Sequence, residues 1–213
     1  MRKEDFVRKY YKHAVKAERK TGVPALFALA QSALESGWGS RTPGNMLFGM
    51  KKGSGKDYGG WDGQTQLITT TEYSGKPDRY FPHIVPGYPV QSAPGKWKYK
   101  VKDHFRAYRS PFHAFMDWAG LLSGASRYRL AMQNRSDPYR FADQVAKAGY
   151  ATAPSYADKV KRVMDEIAHI IKTKGVKTNP WKIILPLSVL AIAAGLIIYG
   201  VTAQSKAKNY AGA

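Results

Sequence analysis

Residues 27–41, FALAQSALESGWGSR, carry an apolar helical pattern into one carboxylate, Glu35, and then break at Gly37 and Gly39. Leu26, Ala30, Ala33 and Leu34 recur at i, i+4, i+7 and i+8, which predicts a helix over 24–36 with that stripe buried. Pro24 suits a first turn and Gly37 a helix cap. The acid therefore sits in the last turn, where the macrodipole is negative and the neutral form is favoured. Trp38, if packed on Glu35, adds desolvation in the same direction. A carboxyl group kept protonated near neutral pH is what a glycosidase uses to protonate its leaving oxygen. The plain alternative is a surface acid beside a cap.

Further helices are predicted over 4–20, 110–124, 137–148 and 154–173. Phe6, Tyr10, Ala14 and Ala17 mark the first as amphipathic. Val160, Val163, Met164, Ile167, Ile170 and Ile171 mark the core face of the last. TQLITTTEY and KVKDHFRAY, rich in β-branched and aromatic residues, read as short strands. Between them RYFPHIVPGYPVQSAPGKWKY reads as a long ordered loop with many prolines and aromatics.

The chain has no cysteine, which excludes disulfides, thiolate catalysis and cysteine-based zinc sites. His13, His83, His104, His113 and His169 show no metal-ligand spacing, so no metal or other cofactor is expected. A net charge of +19 calls for an anionic partner such as an acidic wall polymer or lipid. No nucleic-acid motif accompanies the charge, so nucleic acid is not expected.

The C-terminal run WKIILPLSVLAIAAGLIIYGV, 181–201, has Lys182 as its one charge. About 20 apolar residues of helix match a bilayer core of about 30 Å. Trp181 and Tyr199 lie near opposite ends, as interfacial anchors do. The domain plan is then a catalytic-type domain at 1–173, a basic linker at 174–181, a transmembrane helix at 182–201 and a polar tail at 202–213.

AQSALESGWGSR followed by NMLFGMK, TTTEY, FRAYRSPFHAFMDWAGLL, SRY and AGYATAPSYADKV resembles the glucosaminidase family of peptidoglycan hydrolases. This is glycoside hydrolase family 73, with a mannosyl-glycoprotein endo-beta-N-acetylglucosaminidase-type domain. The blocks occur in the family's order over about residues 5–170. The resemblance implies an α+β, lysozyme-like fold, with a mainly helical lobe, a small β lobe and a groove between them. It implies cleavage of the β-1,4 bond after N-acetylglucosamine in peptidoglycan. Glu35 matches the general acid, Glu72 the second carboxylate and Tyr150 an aromatic hydroxyl near the reacting sugar. Carboxyl groups about 5 Å apart would make Glu72 a nucleophile, and about 6.5–9.5 Å a base that activates water. The substrate's acetamide is a third candidate for the attack. Trp38, Phe48, Trp61 and Tyr128 are candidate sugar contacts. Asn45 either binds an N-acetyl group or holds its loop, and Gly49 supplies a permissive backbone. Ala153 departs from the family, which often has an aspartate there.

With no export signal visible and basic residues flanking the apolar run, the large domain is expected on the cytoplasmic side. A virion protein in a phage's internal membrane, with viral structural proteins as partners, reconciles that side with a wall substrate. The alternatives are a cellular autolysin and an inactive glycan-binding or structural membrane protein.

Overall fold

A computed structural model describes residues 1–55, 57–151 and 153–176. The predicted membrane span, the polar tail and residues 177–181 of the predicted linker lie outside the described residues. Among those described, no helix is long and apolar enough to cross a membrane.

The helical lobe is built around α2, Ala25–Ser36, which α1 (Lys3–Thr21), α5 (Pro138–Lys147) and α6 (Tyr156–Thr173) surround. Ten of the twelve residues of α2 are buried, and its alanines and serines let neighbours approach closely. A helix apolar nearly all round belongs at the centre of a lobe. Leu34, predicted in the buried stripe, is instead 38% exposed. It shares with Glu35 the one side of α2 that the other helices leave uncovered. The cap is as predicted: Gly37 adopts φ 58° and donates its backbone N–H to Ala33. On α1, Phe6, Tyr10, Ala14 and Ala17 are buried as their spacing requires. On α6, Val160, Met164, Ile167 and Ile170 face the core.

Helix α3, Pro111–Gly124, packs on α1. The short α4, Arg129–Gln133, was not predicted, because five residues carry too little periodicity to register. Asp137 caps α5 by accepting from the backbone N–H groups of Tyr139 and Arg140.

The β lobe is a three-stranded antiparallel sheet in the order β1–β3–β2: β1 is Thr65–Ser74, β2 Val90–Ala93 and β3 Lys96–Arg106. The predicted loop therefore contains a strand, β2, which pairs with the start of β3. The rest of that edge is covered by irregular backbone. Val85 N–H donates to Lys100 O and Lys102 N–H donates to His83 O, both at 2.8 Å. Further along, Lys52 and Arg106 exchange equivalent bonds with His104 O and Met50 O. The proline-rich stretch is ordered because an open strand edge needs its N–H and C=O groups satisfied.

Sheet and helices are joined by a buried ion pair. Arg106 donates to both carboxylate oxygens of Asp117 on α3, at 2.9 and 2.8 Å, and both side chains have no exposed surface. Tyr108 O–H and the backbone N–H of Tyr58 complete the shell of Asp117, and Arg106 also donates to Gly55 O at 2.6 Å. Burial, then the Asp117 charge, push the Tyr108 phenol far above its ordinary range. The loop bearing Tyr58 lies so close to α3 that a Cβ at Gly60 would stand 2.2 Å from His113 O, and one at Gly120 2.4 Å from Tyr58 O. Only glycine fits either place.

Asp117→Asn leaves Arg106 buried without its counter-charge. It should cost about 3–5 kcal/mol in urea unfolding, whereas Arg140→Gln, at an exposed pair with Asp137, should cost less than about 1 kcal/mol.

Candidate active site

Glu35 is exposed on one side, at the end of α2, while protein crowds its carboxyl group from the other. Desolvation pushes its pKa up, and a hydrogen bond from Gln31 pulls part of the way back. Gln31 lies one turn earlier on α2 and is 2% exposed. Its Nε2 donates to Glu35 Oε1 at 2.9 Å and reaches Tyr150 Oη at 3.5 Å. Its Oε1 accepts from Tyr156 O–H at 2.8 Å. Tyr150 also accepts from Trp118 Nε1 at 2.9 Å. Burial pushes the Tyr150 and Tyr156 phenols up, and the Glu35 charge adds to both shifts. Both tyrosines therefore stay neutral and serve as hydroxyls.

The rings around this network are packed. Trp118 lies between Phe48, 4.4 Å away and nearly parallel, and Phe27, 5.8 Å away. Phe48 is buried, and Phe115 meets it edge-on. Tyr128 is fully buried, 6.4 Å from the Tyr150 ring. These two candidate sugar contacts are core side chains instead, because their ring faces are taken by protein. Tyr150 and Tyr156 stack at 5.4 Å. Trp38, at φ 54°, sends its indole toward α1, edge-on to Phe6 and beneath the Lys3 ammonium. The side chains that the structure couples to Glu35 are thus Gln31, Tyr150 and Tyr156.

Glu72 lies on β1 within a second charged group. Lys51 Nζ is 3.0 Å from Glu72 Oε1 and 2.9 Å from Asp103 Oδ2. Desolvation pulls the Lys51 ammonium down, but hydrogen bonds and charge from Asp103 and Glu72 outweigh it and the net shift is upward. Lys51 reaches both acids because its backbone bridges to Phe105 of β3. Asn45 takes the loop-holding option: at φ 56° its side chain donates to Tyr108 O at 2.8 Å. Gly49 sits at φ 59°, a conformation that favours glycine. Trp61 donates to Gln64 O and stacks on the Arg106 guanidinium at 4.4 Å. A small cavity of about 60 Å³ opens by Ala25 and Leu26 at the far end of α2 and takes no part in this site. Among the described residues, no cluster of His, Asp and Glu could hold a metal ion.

Residues 11–169 match the family model described as mannosyl-glycoprotein endo-beta-N-acetylglucosaminidase. The chain is 33% identical over 167 residues to the peptidoglycan hydrolase FlgJ of Pseudomonas aeruginosa, covering 75% of this chain and 36% of that protein. It is 35% identical over 161 residues to FlgJ of Escherichia coli K12, covering 72% of this chain and 43% of that one. The chain thus spans less than half the length of these relatives. The glycoside hydrolase domain of FlgJ from Salmonella typhimurium superposes with a TM-score of 0.61 at 29% identity, covering 82% of this chain and 94% of that domain.

The chain belongs to the glucosaminidase family. The lysozyme-like arrangement of helices and small sheet follows from that superposition. Within this glucosaminidase domain, Gln31, Lys51, Trp118 and Tyr156 were not picked out from sequence. Gln31 had a signal, since it stands at i−4 from Glu35 on one helix. Lys51 and Tyr156 lie inside or beside quoted blocks, and only the fold shows what they touch.

Glu35 also leaves a mark on stability. Its folded pKa is raised, so below the ordinary carboxyl range, about pH 4, it is neutral whether folded or not. As pH rises the unfolded chain ionises first, and stability is lost until the folded group ionises too. Glu35→Gln should therefore melt higher than wild type at neutral pH and equally below about pH 4, as read by thermal unfolding across pH.

Proposed function

We propose that this chain is a peptidoglycan hydrolase, an endo-β-N-acetylglucosaminidase that uses Glu35 as general acid. The observation that carries the reading is a carboxyl group at the rim of the helical lobe with a raised pKa and a neutral amide partner, Gln31. Gln31 occupies Oε1, so the acid form carries its proton on Oε2. That proton passes to the glycosidic oxygen as the bond from that oxygen to C1 breaks, and the N-acetylglucosamine side becomes the new reducing end once water adds. The Tyr150 hydroxyl accepts from Trp118 and from Gln31, which leaves its own proton for the sugar or its N-acetyl group. Glu72 is the second carboxyl group, held in place by Lys51. The names of the FlgJ relatives and the family description support the substrate class.

The apolar run at 182–201 is proposed as a membrane anchor on its length and composition. Extraction of the full chain from membranes by detergent but not by alkali is the expected outcome. The virion assignment predicts the chain in purified phage particles as well as in host membranes.

Glu35→Gln should lower the rate of wall-fragment release by about 10²–10⁴-fold. Mass spectrometry of wild-type fragments should find N-acetylglucosamine at the reducing ends, and N-acetylmuramic acid there would overturn the bond assignment. Because the acid form is the active one, activity should fall as pH rises through the raised Glu35 pKa. Gln31→Met removes the bond that pulls this pKa down, so the alkaline limb of its profile should move to higher pH. A lower rate with an unmoved limb would make Gln31 a packing residue only.

A further inference from the structure

The sheet carries its charges on opposite faces. Alternation along β3 puts Lys96, Lys98, Lys100 and Lys102 on one face and Tyr99, Val101 and Asp103 on the other. Lys98 is half-buried and the other three lysines are exposed. The register with β1 sets Tyr73, Thr71 and Thr69 beside Lys98, Lys100 and Lys102. The acids of the three strands, Glu72 and Asp103, both fall on the opposite face, where Lys51 pairs with them. Among the described residues, none of the four β3 lysines forms an ion pair. A soluble surface ordinarily mixes both signs. Here like charges recur every ~6.8 Å over about 20 Å of strand, with neither of the strand acids on that face to relieve them.

We infer that this face binds an extended polyanion whose charges repeat at the two-residue spacing of the strand, and that the ligand is a polyol-phosphate polymer of the bacterial wall. Such a chain alternates phosphates with short polyol units, a repeat of the same order as the lysine spacing. Thr69 and Thr71 set exposed hydroxyls beside the ammonium groups, where polyol hydroxyls would lie. Single-stranded nucleic acid needs open aromatic faces for its bases. The aromatic side chain here, Tyr73, has Lys96 Nζ 4.7 Å from its ring centroid. The polyanion face stands on its own geometry, whereas the choice of a wall polymer rests on the hydrolase reading.

The test is binding of the full chain to immobilised poly(glycerol phosphate) between about 50 and 200 mM salt. Neutralising four phosphates should give a log–log salt slope of about 3. Lys96→Gln, Lys98→Gln, Lys100→Gln and Lys102→Gln together should weaken binding at least ~10-fold and flatten that slope. The milder Lys100→Gln with Lys102→Gln should remove about half of it. A control with Lys12, Lys20, Lys147 and Lys159 changed to Gln loses the same net charge and should keep its binding. Equal weakening in the control overturns the inference in favour of net charge. Tighter binding to an oligo-dT strand at the same salt overturns the wall-polymer assignment. Both quadruple variants should still hydrolyse peptidoglycan stripped of anionic polymer. A wild type that binds the polymer but cleaves no such glycan would remove the hydrolase reading and leave the polyanion face standing.

Discussion

The relation between the lobes depends on the buried pair of Arg106 and Asp117. Two charges removed from water stabilise a fold only when each is paired and its remaining hydrogen-bonding capacity is met. Asp117 accepts from Arg106 through both oxygens, from the Tyr108 hydroxyl and from the Tyr58 backbone. Those partners come from the end of β3, the residues after it and the loop before β1, so one carboxylate fixes three segments against α3. Trp118 is the next residue, turned by about 100° around the helix. Asp117 therefore anchors the sheet while Trp118 supports Tyr150 from the same turn. Placement of the β lobe and of the Tyr150 hydroxyl are set together.

The same logic separates Glu35 from Glu72. Glu35 has a neutral partner and Glu72 a cationic one. An ammonium beside Glu35 would favour its ionised form strongly, whereas an amide opposes desolvation only in part. A buried Gln in a central helix is costly unless saturated. Gln31 meets that condition by donating to Glu35 and accepting from Tyr156, with Tyr150 within reach of its amide. The two carboxyl groups thus stand in unlike environments, one beside an amide and one beside an ammonium.

What the sequence displayed was local. The periodicities of α1, α2 and α6, the Gly37 cap and the β-branched content of β1 all lie within windows of one element. What it concealed was tertiary. Arg106 and Asp117 are ordinary charges until β3 meets α3. Strand β2 sits in a proline-rich segment whose local chemistry argues against a strand, and the edge of β3 overrides it. Phe48 and Tyr128 drew notice as aromatics inside family blocks, but burial is not a property of a block. Leu34 obeys the helical spacing and is still exposed, because spacing names a face and neighbours decide whether it is covered.

The pleat explains how so small a sheet holds opposite charges apart. On β1, Glu72 and Tyr73 point to opposite faces, as do Lys102 and Asp103 on β3. A slip of one residue would carry Glu72 to the lysine face and remove it from Lys51, so register alone keeps the two surfaces distinct. A three-stranded sheet has little packing with which to resist such a slip. Here the register is held from outside, by the backbone bonds of residues 83–85 and 50–52 along β3 and by Arg106 locked at its end. The irregular segments thus help to specify the sheet: by holding the register they keep Glu72 and Asp103 on the face with Lys51 and leave the β3 lysines on the other.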